Sequence, residues 1–139
     1  MQQTVRDWMK DLIVYVDPDM KVTEALALMR RRYVTSLIVR KGATRQEWGI
    51  VTTIDVCDKI VARQADPAKL RVVEIMNAPL ITVPQDMLIN ECAAVMKEHR
   101  IHHLPVVDGD SNIVGMISAA DFLIVAEVMG RGTGERVLS

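Results

Sequence analysis

Two runs of this sequence place a glycine, a hydroxyl and a carboxylate at one fixed spacing: Gly49, Thr52 and Asp55, then Gly115, Ser118 and Asp121. At a point where a strand gives way to a helix, such residues support two kinds of chemistry. One is local. Ser/Thr-x-x-Asp resembles a capping box, with aspartate in the place usually held by Glu or Gln, and it satisfies backbone N–H groups that a helix start leaves without partners. The other is recognition. A hydroxyl and free N–H groups at a helix N-terminus hold a phosphate. A carboxylate one turn further in accepts both hydroxyls of a vicinal diol such as a ribose. Capping does not require the pattern to recur, although duplication alone would preserve it, and the residues by themselves leave both readings open.

A second cluster is Glu98-His99-Arg100-Ile101-His102-His103. A metal reading would use His99 and His103, four apart on one helical face. The helix is expected to end near His99 and no further ligand is placed by the sequence, so no metal site is expected. A solvated helix end, where cations suit the helix dipole, competes with histidines and Arg100 that face a phosphate-bearing cleft. Catalytic residues are not expected either. No serine, cysteine or lysine stands beside an identifiable base and orienter. Cys57 and Cys92 fall mid-helix among apolar neighbours, where thiols are usually inert.

The elements that must position these residues repeat. Val5 to Met9 is echoed by Val72 to Met76, Val16 to Met20 by Val83 to Met87, and Leu37-Ile38-Val39 by Leu104-Pro105-Val106, always 67 residues on. Gly49 to Asp55 is echoed by Gly115 to Asp121 at 66, and the one-residue slip falls in a loop. A register held this far indicates two copies of one structural unit, with an internal pseudo-twofold axis and a cleft between copies as the natural ligand site. The repeats are assigned to 1–66 and 67–130, together one globular module, followed by a flexible tail at 131–139.

Each copy reads as a short helical turn, strand, helix, strand, strand and helix. Leu12 to Val16 is β-rich. Val22 to Arg32 spaces Val22, Ala25, Leu26 and Met29 at a helical period and ends on Arg30-Arg31-Arg32. Ser36 to Arg40 and Trp48 to Thr52 are strands around a polar loop at Lys41 to Glu47, and a helix follows from Thr53 to Arg63. In the second copy the strands are Leu80 to Val83, His103 to Val107 and Ile113 to Ile117, and the helices run over Leu88–His99 and Ala119–Met129. The arginine run, with Arg40, Lys41 and Arg45, reads as a solvated face or as a counter-charge to a polyphosphate. Methionines 29, 76, 96 and 116 fall at core phase. Trp8 and Trp48 suit burial or a partner surface.

The chain has 139 residues, half of them hydrophobic, and a formal net charge of −1. The first 66 residues carry a net of +2 and the remainder −3. Near neutrality disfavours nucleic-acid binding driven by bulk charge. The two cysteines show no CxxC spacing, and the polar start Met1-Gln2-Gln3-Thr4 predicts no signal peptide. No apolar run approaches membrane-spanning length. A cytoplasmic protein with no membrane association is expected.

Taken together, these motifs resemble a tandem pair of CBS domains, the arrangement also called a Bateman module. The resemblance rests on Val72 to Met76, Ile81-Thr82-Val83, His103 to Asp108 and Gly115 to Phe122, and in the first copy on Val5 to Met9, Val16 to Asp19, Leu37-Ile38-Val39 and Gly49 to Asp55. It implies an α/β (α+β) fold of two βαββα repeats packed about a pseudo-twofold axis. It also implies a non-enzymatic sensor that requires no cofactor and binds AMP, ADP, ATP or S-adenosylmethionine between its repeats. Asp121 and Asp55 would take the ribose hydroxyls, Ser118 and Thr52 ribose or phosphate. Adenine would lie against Ile81, Thr82, His103, Leu104 and Pro105, with Ser36 and Ile38 at the matching positions of the first copy. There the pattern breaks: Tyr15 stands in the place of Thr82 and Ile38 in that of Pro105, so the second site is the better formed. A homodimer and a separate effector protein are implied. A scaffold with decayed ligand sites is the alternative.

Overall fold

The computed structural model describes residues 3–42 and 47–131. The tip of the first loop, 43–46, and the expected tail from 132 onward lie outside the described residues. The elements run α1 (Val5–Trp8), β1 (Tyr15–Val16), α2 (Val22–Arg32), β2 (Ser36–Val39), β3 (Gly49–Thr52) and α3 (Thr53–Val56), which passes into a π-helical turn at Cys57–Val61. After 3-10 turns at Pro67–Lys69 and Val72–Glu74 come β4 (Val83–Pro84), α4 (Ile89–His99), β5 (His103–Val107), β6 (Ile113–Ser118) and α5 (Asp121–Arg131). The fold is mixed α and β, with two three-stranded sheets in the orders β1-β2-β3 and β4-β5-β6. In each sheet the first pairing is parallel and crosses over through a helix, and the second is antiparallel.

The sheets belong to two compact units, and the units do not follow the sequence repeats. One comprises Ile13–Ile81; the other joins Met1–Leu12 to Thr82–Ser139. The opening segment of each repeat packs with the sheet of the other repeat. Val5 is fully buried in the cluster that holds Val83, Cys92, Leu104 and Ile117. The Val5 N–H donates to the Met87 carbonyl at 2.9 Å, and Lys10 pairs with Met116 as an extra antiparallel bridge. In the other unit Val72, Ile75 and Met76 join the cluster of Val16, Ala25, Met29, Leu37 and Val51. There the Val72 N–H donates to the Met20 carbonyl and Asn77 bridges to Ile50. Full burial of one such aliphatic side chain stabilises by about 1.5–3 kcal/mol, so each opening segment is held mainly by its apolar side chains.

The exchange explains both glycines of the motif. A Cβ on Gly115 would come within 2.5 Å of the Met9 sulfur and 3.0 Å of the Lys10 carbonyl. A Cβ on Gly49 would meet the Met76 sulfur at 2.8 Å and the Asn77 carbonyl at 2.9 Å. Glycine is needed where the incoming backbone lies directly on the strand.

Strand alternation sorts the remaining side chains. Leu37, Val39 and Val51 point into one core, Leu104, Val106 and Ile117 into the other. Cys92 on α4 is fully buried, and burial pushes its thiol up to about 11, whereas Cys57 is exposed. A thiolate reagent at mild alkaline pH is therefore expected to titrate one thiol per chain in the native protein, at Cys57, and both after denaturation. Rapid reaction of Cys92 in the folded protein would contradict its burial. No helix among the described residues is long and apolar enough to cross a membrane.

Candidate functional site

In the unit that carries the second repeat, β5 and β6 pair His103 with Ser118, Leu104 with Ile117 and Pro105 with Met116. Alternation across the pleat therefore sets His103, Pro105, Met116 and Ser118 on one face. Leu104 lies on the opposite face, within the buried cluster. The sequence reading placed Leu104 against a ligand; its side chain is core, and only its backbone reaches the other face. Pro105 is buried, His103 half-buried and Thr82 exposed. Ile81 is exposed and ends the other compact unit.

The chain leaves β6 at Ser118, and the Ala119 N–H donates to the His102 carbonyl at 2.9 Å. The Asp121 carboxylate then turns back on the junction. Its Oδ2 accepts the Ser118 N–H at 2.8 Å and the Ser118 hydroxyl at 3.2 Å. Its Oδ1 accepts the Lys10 Nζ at 2.6 Å. The Asp121 side chain is only 8% exposed, whereas that of Lys10 is 68% exposed. The capping chemistry read from the sequence is thus present, and the aspartate is the acceptor in it. A carboxylate has roughly four acceptor positions. Among the described residues, Oδ1 is met by one donor, on a side chain that stands mostly in water.

The first-repeat junction has the same backbone plan. Asp55 Oδ2 accepts the Thr52 N–H at 2.8 Å and its hydroxyl at 3.2 Å. Here, however, the Asn77 amide donates to both oxygens, at 2.8 and 3.0 Å, and the Lys59 Nζ lies 3.0 Å from Oδ1. Ser36 and Ile38 share the strand face with Thr52, and both are buried. Tyr15, in the place of Thr82, meets the Trp48 ring edge-on at 6.1 Å between centroids and carries the Arg40 guanidinium 5.1 Å above its own.

The structure also locates the other candidates. His99, Arg100 and His102 are exposed at the end of α4, with Arg100 in the left-handed conformation that closes the helix. The described residues contain no group of three or more His, Cys, Asp or Glu arranged to hold a metal. Arg30, Arg31 and Arg32 are exposed in the last turn of α2. The Trp8 ring N–H donates to the Gln3 side chain at 2.9 Å.

Sequence reasoning missed the three residues that hold the carboxylates: Lys10, Asn77 and Lys59. A signal for two of them existed, since Lys10 and Asn77 are themselves 67 residues apart and follow the Met9/Met76 pair directly. Lys59 sits four residues after Asp55, where the second repeat has Val125.

Comparison with known proteins bears on the whole chain. The CBS domain profile matches residues 5–62 and again 72–127. An uncharacterized protein of Methanopyrus kandleri is 28% identical over 113 residues, a match that takes in 81% of this chain and 57% of that one, so the chain spans little more than half of that relative's length. A hexameric CBS-CP12 protein from bloom-forming cyanobacteria matches with a TM-score of 0.85 at 28% identity, over 96% of this chain and 73% of that one. A CBS domain pair solved in complex with 5′-methylthioadenosine and S-adenosyl-L-methionine matches with a TM-score of 0.78 over 93% of this chain and 99% of that one, and at 22% identity that likeness is one of fold. The two profile matches cover most of the sequence in step with its internal repeat, and the chain belongs to the CBS domain family as a tandem pair.

Proposed function

We propose that this CBS pair is a non-enzymatic sensor that binds an adenosyl ligand, AMP, ADP, ATP or S-adenosylmethionine, and signals to a partner protein. The observation that carries this reading is the state of Asp121: a buried carboxylate with one oxygen tied into the strand-to-helix junction and the other answered only by the exposed Lys10 side chain. The two hydroxyls of a ribose replace Lys10 on Oδ1 and complete the acceptor positions of the carboxylate. Ser118 adds its hydroxyl, and Thr82, His103 and Pro105 supply the surface for the base. Lys10, displaced but still nearby, meets the negative charge of a phosphate or carboxylate on the same ligand.

Signalling follows from the same exchange. Lys10 belongs to the opening segment, and its backbone pairs with Met116. A ligand that takes Asp121 from Lys10 therefore bears directly on that segment, by no more than its differential affinity for the two arrangements. The cysteines are both free, which suits a reducing cytoplasm. Isothermal titration with each of the four ligands tests the reading. Saturable heat with at least one at sub-millimolar affinity is expected, and silence with all four at millimolar concentration removes it.

Self-association has its own support. Leu123, Ile124 and Met129 on α5 are exposed large apolar residues within seven positions of one another, and such a concentration marks an interaction surface. We infer a homodimer through this helix. Sedimentation should show a dimer for the native chain and a monomer for Leu123→Glu, with the helical circular dichroism unchanged; a dimer in both would exclude α5 from the interface.

A further inference from the structure

The two carboxylates of the motif are not equivalent, and the difference lies in one lysine. The Lys59 Nζ donates to the Ile75 carbonyl at 2.8 Å and to the Asn77 side-chain oxygen at 3.1 Å, and it stands 3.0 Å from Asp55 Oδ1. An ammonium has three protons, and all three have partners inside this unit. The Lys59 side chain is 24% exposed, against 68% for Lys10. Asn77 gives its amide to both oxygens of Asp55 while its own oxygen receives Lys59. Thr52, Asn77 and Lys59 thus fill the acceptor positions of Asp55 and leave none for a diol.

The local backbone is built around this arrangement. An α-helix turns by i→i+4 hydrogen bonds, but the helix after Asp55 widens into a π turn, in which the Ala62 N–H donates to the Cys57 carbonyl at 2.9 Å. The extra residue lets neighbouring positions both face inward: Ile60 is buried in the core, and Lys59 reaches Asp55. The corresponding stretch of α5 is regular α-helix and buries Val125, with no ammonium at that place. Single π turns inside helices are often found at functional positions.

We propose that Lys59 is a built-in occupant of the first-repeat site: it holds Asp55 in the position a ribose would take and limits the protein to one adenosyl ligand per chain, at Asp121. The inference rests on the adenosyl reading of Asp121. It makes Lys59 the residue that decides stoichiometry, because its ammonium is fully coordinated and costly to displace, whereas Lys10 returns readily to water. A buried pair that loses one partner leaves an uncompensated charge, so a neutral diol gains little by displacing Lys59, while a chain that lacks Lys59 presents Asp55 with an acceptor position to fill.

The test is the binding stoichiometry of AMP and of S-adenosylmethionine, measured by equilibrium dialysis on the full chain. Tyr15→Thr places the second repeat's residue in the first repeat and removes the aromatic ring from consideration. Tyr15→Thr alone is expected to bind one ligand per chain, and Tyr15→Thr with Lys59→Met two. Adding Asp121→Ala to that double variant should return the count to one, now at Asp55. Two ligands on the native chain or on Tyr15→Thr alone would overturn the role of Lys59, as would one ligand on the folded double variant. Absence of any ligand on the native chain defeats the adenosyl reading and this inference with it, an outcome distinct from the wrong count. If Lys59→Met unfolds, Lys59→Gln keeps a donor for the Ile75 carbonyl without the charge, and the same counts decide.

Discussion

Asp121→Ala is expected to lower the affinity for the adenosyl ligand by a factor of ten or more, to the point that millimolar ligand no longer saturates. The substitution removes the acceptor for both ribose hydroxyls. A hydrogen bond to a charged group contributes about 1.5–3 kcal/mol, and about 1.4 kcal/mol is one decade of affinity. Folding should survive. Loss of the contact with the Ser118 N–H resembles the loss of a helix cap, about 1 kcal/mol, and Lys10, already mostly in water, is left with little to regain. Titration calorimetry beside circular dichroism separates the two effects. Asp55→Ala should leave the ligand affinity within about twofold, since a change under about 0.5 kcal/mol is expected from a site that takes no ligand. Equal losses in the two variants would mean that the junctions act together or that the carboxylates are caps alone.

Leu104→Ala is expected to be the most destabilising of the substitutions considered. Leu104 is fully buried among Val5, Val83, Cys92 and Ile117, on the strand that pairs with both neighbours of its sheet. Truncation of such a leucine leaves a cavity and costs about 2–5 kcal/mol, a large part of the 5–15 kcal/mol typical of a whole domain. Urea denaturation should show a lowered midpoint with little change in slope. Ligand affinity per folded molecule should hold, because the Leu104 side chain points away from the face that carries His103, Pro105 and Ser118. A variant of native stability with weakened binding would instead restore Leu104 to the ligand surface.

Much of the architecture could be read locally. Val22, Ala25 and Met29, spaced by three and four, form the buried stripe of α2. The strand pairs on either side of each loop fall where alternation and turn residues set them. The hydroxyl-to-carboxylate spacing gave the junction geometry correctly in both repeats. Expected strand starts at Leu12 and Leu80 were early, since regular pairing begins only at Tyr15 and Val83. The apolar run marks where a strand is possible, but the partner strand decides where its ladder begins. The expected helix from Thr53 to Arg63 likewise breaks into α and π turns, because Ile60 is drawn to the core and Lys59 to Asp55, a choice that the helical period does not encode.

The sequence by itself determined that two like units exist, which elements build them, and that a carboxylate would close each strand-to-helix junction, because those outcomes depend on residues within a turn or two of one another. Tertiary structure alone decided which sheet each opening segment would complete, since Val5 and Val72 have the same apolar pattern and either would suit either core. It alone also brought Lys10 to Asp121 across 111 residues and Asn77 to Asp55 across 22. Those pairings depend on where the buried side chains leave room for the backbone to pass, over Gly115 and over Gly49, and a local pattern carries no record of that.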